Sequence, residues 1–414
     1  MTLPPARLHY AWVILAVATL VVFGALGLAR FGYSIVLPAM QTGLGMDNTQ
    51  AGVLATANLV GYLTLSVIGG ALAARYGPRR VITLGLTVAG CAMLLTGRSN
   101  AFFTAALWRA VTGLGSGASN VPVMALVSAW FARRRRGMAS GVAVAGSSLA
   151  LIGLGPAVPR ILQSYGENGW RVCWYAFGGA TLLLAVISLV FLRDRPSQMG
   201  LSPLGAGKGE PAPNPGAGAL AWGAVYRSPV VWHLGLVYVA FGFSYIIYTT
   251  FFVKHLITSG GYISGEAGKL FMTMGWFSLL CGLIWGAASD VIGRKGALVA
   301  VYLIHTVAFS LFALCTSPAG LTISAILFGL SAWSIPAIMA AACGDLLGPR
   351  LAPAGLGFIT LFFGVGQALG PSVAGIMSDA AGSLSSSFLL AAGVAFLGAL
   401  AAALLRQSSL RKPG

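Results

Sequence analysis

The sequence predicts an all-α membrane protein with twelve transmembrane helices in two pseudo-symmetric six-helix halves. Three observations carry that prediction. First, 57% of the 414 residues are hydrophobic and only 8% are charged, whereas an ordinary soluble domain has about 25% charged residues. So few charges cannot coat a water-facing surface of this size, which excludes a large soluble enzyme. Second, apolar runs of the length that crosses a bilayer, about 20 residues, recur along the chain. Third, two motifs recur at nearly one offset. The 57 glycines show no three-residue period, so they fit close helix contacts in a membrane rather than a collagen-like or disordered chain.

In order, the runs fall near 11–38, 50–74, 81–97, 101–130, 138–163, 172–192, 230–253, 267–289, 296–315, 319–344, 354–378 and 384–405. The first follows Arg7 and His9. It is too long for a signal peptide and leads into further runs, so it reads as a span. The connections are short except for 193–229, which holds Pro196, Pro203, Pro211, Pro213 and Pro215 among glycines. That composition reads as a flexible linker. It divides an N-terminal half (1–192) from a C-terminal half (230–414). The five cysteines are scattered in apolar runs with no metal spacing or CxxC pair, and they read as packing residues.

The formal charge is +17. If the N-terminus lies in the cytoplasm, 18 of the 25 Lys and Arg fall in inner segments and five in outer ones. The remaining two, Arg30 and Arg109, lie inside apolar runs. This bias predicts a multi-pass protein with both termini inside and an even number of spans. The run Arg133–Arg136 then serves as a topology anchor. It lacks the interleaved aromatics of a nucleic-acid surface, so no nucleic-acid partner is expected. The halves also repeat. Gly70…Arg75-Tyr76-Gly77-Pro78-Arg79-Arg80 follows the second run, and Gly286…Asp290-Val291-Ile292-Gly293-Arg294-Lys295 lies 216 residues later. Gly155-Pro156 and Gly370-Pro371 lie 215 apart. Parallel six-helix repeats predict a transporter with its site between the halves.

These residues together resemble the major facilitator superfamily over the whole chain. The family's loop signature after its second and eighth spans matches at Gly70–Arg80 and Gly286–Lys295. In the first copy Ala74 stands where the family has Asp; Asp290 keeps it in the second. Arg109, Gly113 and Gly115 are similar to the fourth-span signature, and Gly155-Pro156 to the end of the fifth. Gly27-Leu28-Ala29-Arg30-Phe31-Gly32-Tyr33 resembles a bacterial branch with an Arg-Phe pair in its first helix. His9-Tyr10-Ala11-Trp12 is similar to the opening of the monocarboxylate and oxalate–formate branch. That branch places a substrate arginine in its eighth span, and here 271–288 carries no charge. The resemblance implies alternating access, with spans one and four lining a central cavity. It also gives Arg75, Arg79, Asp290 and Arg294 a gating role at the cytoplasmic end.

Arg30 and Arg109 each sit about eight residues from the outer end of their run, about 12 Å deep at 1.5 Å per residue. A charge at mid-bilayer costs about 2.5–3.5 kcal/mol on insertion scales. All eight acids, Asp47, Glu167, Asp194, Glu210, Glu266, Asp290, Asp345 and Asp379, fall in loops or at run ends. Neither arginine therefore has an acid at its depth, and a guanidinium suits a carboxylate or phosphate. The expected cargo is a small organic anion, a monocarboxylate first. Proton symport is the first expectation for coupling and anion exchange the second. Proton-driven efflux of drugs or metabolites is the alternative from another class, although it normally uses a membrane-embedded carboxylate.

Further liners are expected at Tyr33, Asn58, Ser116, Asn120, Tyr245, Tyr248, Trp333 and Gln367, with Ser147, Ser148 and Ser334 behind them. Arg109, Gly113, Ser116 and Asn120 share one helical stripe. Packing roles compete for several of these residues: helix glue for Ser116 and Asn120, aromatic packing for Tyr245 and Tyr248, and a packing rather than proton-relay role for His305. No catalytic residue, metal or cofactor is expected, and no nucleotide loop of the GxxxxGK[ST] type occurs, so ATP-driven pumping is not expected. The other expected partners are the lipid bilayer and a co-transported proton, with the chain acting as a monomer.

Overall fold

The computed structural model describes residues 9–206 and 222–405. Its architecture is all-helical. The N-terminal half comprises α1 (Ala11–Leu44), α2 (Asn48–Tyr76), α3 (Pro78–Gly97), α4 (Phe102–Trp130), α5 (Arg133–Tyr165) and α6 (Gly169–Phe191). The C-terminal half comprises α7 (Pro229–Thr258), α8 (Ser264–Val291), α9 (Gly293–Leu314), α10 (Pro318–Gly348), α11 (Ala354–Ala381) and α12 (Leu384–Ala403). Ten segments of the described residues are long and apolar enough to cross a membrane, eleven counting α2, which bends by 44°. One segment, Arg134–Phe191, is 58 residues long, nearly 90 Å at about 1.5 Å per residue. No bilayer is that thick. The segment folds back at the 3₁₀ turn Gly166–Asn168 as α5 and α6, which brings the spans to about twelve.

Local chemistry sets the helix ends. Asp47 caps α2, accepting from the Gln50 amide at 2.7 Å while the Gln50 side chain accepts from the Asp47 amide. Proline opens α3, α7 and α10, where its missing N–H costs nothing. Gly77 (φ 90°) and Gly293 (φ 80°), 216 residues apart, both take a positive φ in the two loop motifs. The repeat thus extends to the backbone at these two positions. Proline and glycine also interrupt α10, which breaks at Ala332–Trp333 and ends at Gly348 (φ 70°).

The linker differs from the free chain its composition suggests. Leu204 pairs its backbone with Trp130 and Ala132 at 2.9 and 3.1 Å, and the Trp130 indole donates to the Arg193 carbonyl at 2.8 Å. A short helix, Trp222–Tyr226, packs its Tyr226 ring against Phe358. Each end of the segment is therefore docked on its own half. Residues 207–221, with Lys208, Glu210 and three of the prolines, lie outside the described residues. So do Arg7, Arg406, Arg411 and Lys412.

The halves meet along α2 with α11, α5 with α8, and α1 with α7. Tyr10 at the start of α1 donates to the Phe191 carbonyl at the end of α6, and His233 near the start of α7 bonds the Ala401 carbonyl near the end of α12, so these helix ends mark one side of each half, the terminal end. At the far end α2 and α11 close against each other, while a cavity of about 630 Å³ lies between the far ends of α1, α5, α7 and α8. A β-carbon on Gly52 would lie 2.2 Å from the Pro371 carbonyl oxygen, and one on Gly375 would lie 2.3 Å from that of Asn48. Only glycine permits this approach of α2 and α11. Asp379 reaches across to accept from the Asn48 and Thr49 amides at 3.2 and 2.7 Å and from the Thr49 hydroxyl at 2.6 Å. It adds a second cap to the positive end of α2. Lys254 of α7 donates to Gln41 at 2.5 Å and to Asn48. At the terminal end the polar contacts of the loop-motif arginines Arg79 and Arg294 stay within each half. Arg79 donates to the Leu189 carbonyl, while Arg294 bonds Asp290 and Asp345.

Candidate functional site

Arg30 stands in a part of α1 that is wound as a π-helix, Phe23–Phe31. Such i→i+5 windings are rare and concentrate at functional sites. The guanidinium lies 4.6 Å from the Tyr62 ring centroid, and Nη1 donates to the Tyr245 hydroxyl at 3.3 Å. Gln367 Nε2 also donates to that hydroxyl. Arg30 Nη2 and Gln367 Oε1 are buried without a hydrogen-bond partner. Arg30 and Tyr245 are 215 residues apart, as are Ser34 and Thr249, whose carbonyl the Ser34 hydroxyl meets. That separation equals the repeat offset, so each pair joins equivalent positions of the two halves. Only residues beside the pseudo-two-fold axis can meet their own equivalents, so Arg30 sits near that axis.

Arg109 has a different environment. It is 1% exposed and donates to the Ala29 carbonyl at 2.6 Å. Its guanidinium lies 4.7 Å from the Tyr33 ring and 5.0 Å from Trp174. Ser116 Oγ donates to the Ala25 carbonyl. Two side chains of α4 therefore hold two carbonyls of the π segment. Asn58 donates to the Arg109 carbonyl at 3.1 Å, and a β-carbon on Gly113 would lie 1.9 Å from the Asn58 oxygen. Tyr33 donates to the Ala51 carbonyl at 2.7 Å, and Asn120 to the Tyr62 hydroxyl at 2.8 Å. Arg109, Ser116, Asn58 and Tyr33 thus fasten α1, α2 and α4 together, and Asn120 orients the tyrosine beneath Arg30.

Arg30, Tyr33, Asn58 and Arg109 share with Ile246, Thr249 and Thr250 a cavity of about 10 Å³. That is room for about one water, so the far side of the site is closed to an organic solute. Trp333 joins the halves, its indole donating to Ser148 at 3.2 Å and its ring lying 5.5 Å from Phe31. Ser148 also takes a 2.7 Å bond from Ser278.

Tyr248, expected as a liner beside Tyr245, takes the competing packing role instead. Its hydroxyl bonds Ser324 at 2.8 Å, and its ring packs on Phe309, Phe312 and Phe328 inside the C-terminal half. Three residues is about 60° short of a full helical turn. That rotation carries Tyr248 off the face on which Tyr245 meets Arg30. His305 packs among Phe241, Phe309 and Phe328, but its two ring nitrogens are buried without a hydrogen-bond partner among the described residues.

Ser34, Ser278 and Lys254 escaped the sequence reading as contact residues. The repeat offset was the signal available: applied to Arg30 it points to Tyr245, and applied to Ser34 to Thr249. At the loop motifs, Asp194 compensates for Ala74 by accepting from the Arg79 amide at 2.7 Å. Asp290 pairs with Arg294 at 2.7 Å inside its own half, and among the described residues it makes no ion pair across the gate. Arg75 lies 5.2 Å from the ring of its neighbour Tyr76.

A protein-family model described as "Uncharacterised MFS-type transporter YbfB" matches residues 22–403. The chain belongs to the major facilitator superfamily. This facilitator is 24% identical over 421 residues to the "Probable sulfoacetate transporter SauU" of Cupriavidus necator, covering 95% of this chain and 94% of that one. It is 23% identical over 402 residues to the hexuronate transporter of Bacillus subtilis, covering 93% and 92%. Among solved structures, a bacterial homologue of the lysosomal transporter Spinster in an inward-facing, occupied conformation superposes with a TM-score of 0.77 at 15% identity, covering 98% of this chain and 99% of that one. The D-xylose–proton symporter gives 0.76 at 14% identity, covering 97% and 100%. The facilitator fold predicted from the loop motifs is therefore the fold observed.

Proposed function

We propose that this facilitator carries a small organic anion, a monocarboxylate in the first instance, across the bacterial inner membrane by alternating access. Both termini lie in the cytoplasm, so the contact of α2 with α11 lies at the outer face. The halves 1–192 and 230–414 rock about the axis beside Arg30. One observation carries the reading: a membrane-embedded guanidinium near that axis has a buried nitrogen without an acceptor and no carboxylate within bonding distance among the described residues. A planar cation in that position binds a carboxylate through paired N–H donors. The anionic solutes named for the sulfoacetate and hexuronate relatives support it.

Binding would draw Arg30 from Tyr245 toward the solute, while Tyr62 keeps its face against the cation. Arg109 acts through α1, holding the π segment that presents Arg30. With no acid at mid-membrane, proton coupling runs through the carried acid itself, which leaves the guanidinium once protonated. The same lack of an acid opposes a drug–proton antiporter, which needs a carboxylate to exchange the proton. It also keeps anion exchange as the second reading, because exchange needs no proton site. Uptake of labelled lactate into proteoliposomes tests both. Uptake driven by an acid-outside gradient indicates symport. Uptake driven only by internal unlabelled anion indicates exchange. Uptake of cationic dyes with no anion uptake would refute the reading.

A further inference from the structure

Resting on that reading, we infer that the carried anion bears a hydroxyl beside its acidic group, as hydroxy acids and sugar acids do. The Tyr245 hydroxyl accepts from Arg30 Nη1 at 3.3 Å and from Gln367 Nε2. A phenol oxygen has two acceptor positions and one proton to give. With both acceptor positions used, its O–H is a donor, and it stands beside Arg30 Nη2, a second donor without a partner. These two groups call for an acceptor, which a carboxylate or sulfonate oxygen supplies. Gln367 Oε1 calls for the opposite. It is an acceptor on a side chain 1% exposed, bonded to the same tyrosine, and it lacks a donor.

A plain carboxylate answers the donors and leaves that oxygen buried and unmatched. A solute with an adjacent O–H answers both. Sites that hydrogen-bond a solute hydroxyl reject analogues lacking it more strongly than apolar pockets reject an extra group. The reverse amide orientation would present a third donor and give no preference for a hydroxyl, so a comparison of matched solutes separates the two cases. Trp333, edge-on to Tyr245 at 6.2 Å, supplies an apolar wall for the carbon skeleton.

The test is thermal stabilisation of the purified full-length transporter by matched pairs at graded concentrations. The pairs are propionate and lactate, ethanesulfonate and 2-hydroxyethanesulfonate, and hexanoate and gluconate. The hydroxylated member is expected to half-saturate the shift at a concentration about ten- to a hundredfold lower in at least one pair. Gln367→Met is expected to narrow that ratio to within about twofold. Equal half-saturation within every pair, or a preference that survives Gln367→Met, overturns the inference while leaving anion transport standing. Stabilisation by no anion of the panel overturns the transport reading itself. The wild-type comparison needs no variant to fold.

Discussion

Arg30→Gln separates recognition from architecture because the two are expected to move differently. In the fold, Arg30 gains about 0.5–2 kcal/mol from its stack on Tyr62 and about 1 kcal/mol from one long bond to Tyr245. Against this stands a cost of about 2.5–3.5 kcal/mol for a charge at mid-bilayer. The terms nearly cancel, so the melting temperature in detergent should move by only a few degrees in either direction. In transport the terms do not cancel. Two charge-assisted bonds to a carboxylate contribute about 1.5–3 kcal/mol each. Gln keeps one neutral donor, which leaves a loss of about 3 kcal/mol, or roughly 150-fold in affinity. The assay is initial uptake of labelled lactate into proteoliposomes at a concentration well below saturation, with melting measured on the same preparation. Arg30→Lys, which keeps the charge without the fork, should fall between. Uptake within twofold of wild type, from a folded Arg30→Gln protein, would refute the reasoning. So would a melting loss large enough to show that Arg30 holds the bundle together.

Arg109→Gln should behave in the opposite way, lowering the melting temperature by the equivalent of about 1–3 kcal/mol because it strands the buried Ala29 carbonyl; unchanged melting with abolished transport would give it a direct role in binding. Gly52→Val should force α2 and α11 apart at the far end, since its first carbon would lie 2.2 Å from the Pro371 oxygen. In a background freed of the native cysteines, a Thr56→Cys reporter should then gain labelling by a membrane-impermeant thiol reagent from the far side. Asp379→Ala removes three bonds to α2 and should raise the same labelling without altering the helical circular-dichroism signal. Asp290→Asn breaks an ion pair whose carboxylate side is 69% exposed, so melting should shift by less than about 1 kcal/mol; a slower turnover with normal melting would reveal a partner for Asp290 in the outward-facing state.

Much of the bundle was legible because hydropathy is additive: each span announces itself by its own length, whatever its neighbours do. The loop motifs and their 216-residue offset were legible for a similar reason, since Gly77 and Gly293 each take a positive φ locally. The site was less so. Arg30, Trp333, Gln367 and Tyr245 meet at the interface. Tyr248, three residues from Tyr245, went elsewhere because lining depends on tens of degrees of helix rotation, which no residue identity encodes. The same holds for Ser116 and Asn58, whose polar groups could serve a solute or a neighbouring carbonyl with equal chemistry; only tertiary packing chose the carbonyl. The π winding of α1 left no mark in the sequence beyond Gly24 and Gly27. The docked ends of the linker were hidden by a composition typical of loose chain, because Leu204 pairs through its backbone.

A stretch wound five apart carries one residue more than an ordinary coil of the same height. Removing a single residue between Phe23 and Phe31 would let that stretch tighten while leaving the flanks in register. A deletion made elsewhere in α1 would swing every side chain beyond it by about 100°. Span one is therefore expected to tolerate shortening only there, and the tightened form would present position 30 to a different neighbour. The surplus residue is the feature that aims the guanidinium, and the grip of Arg109 and Ser116 on Ala29 and Ala25 holds the winding in place.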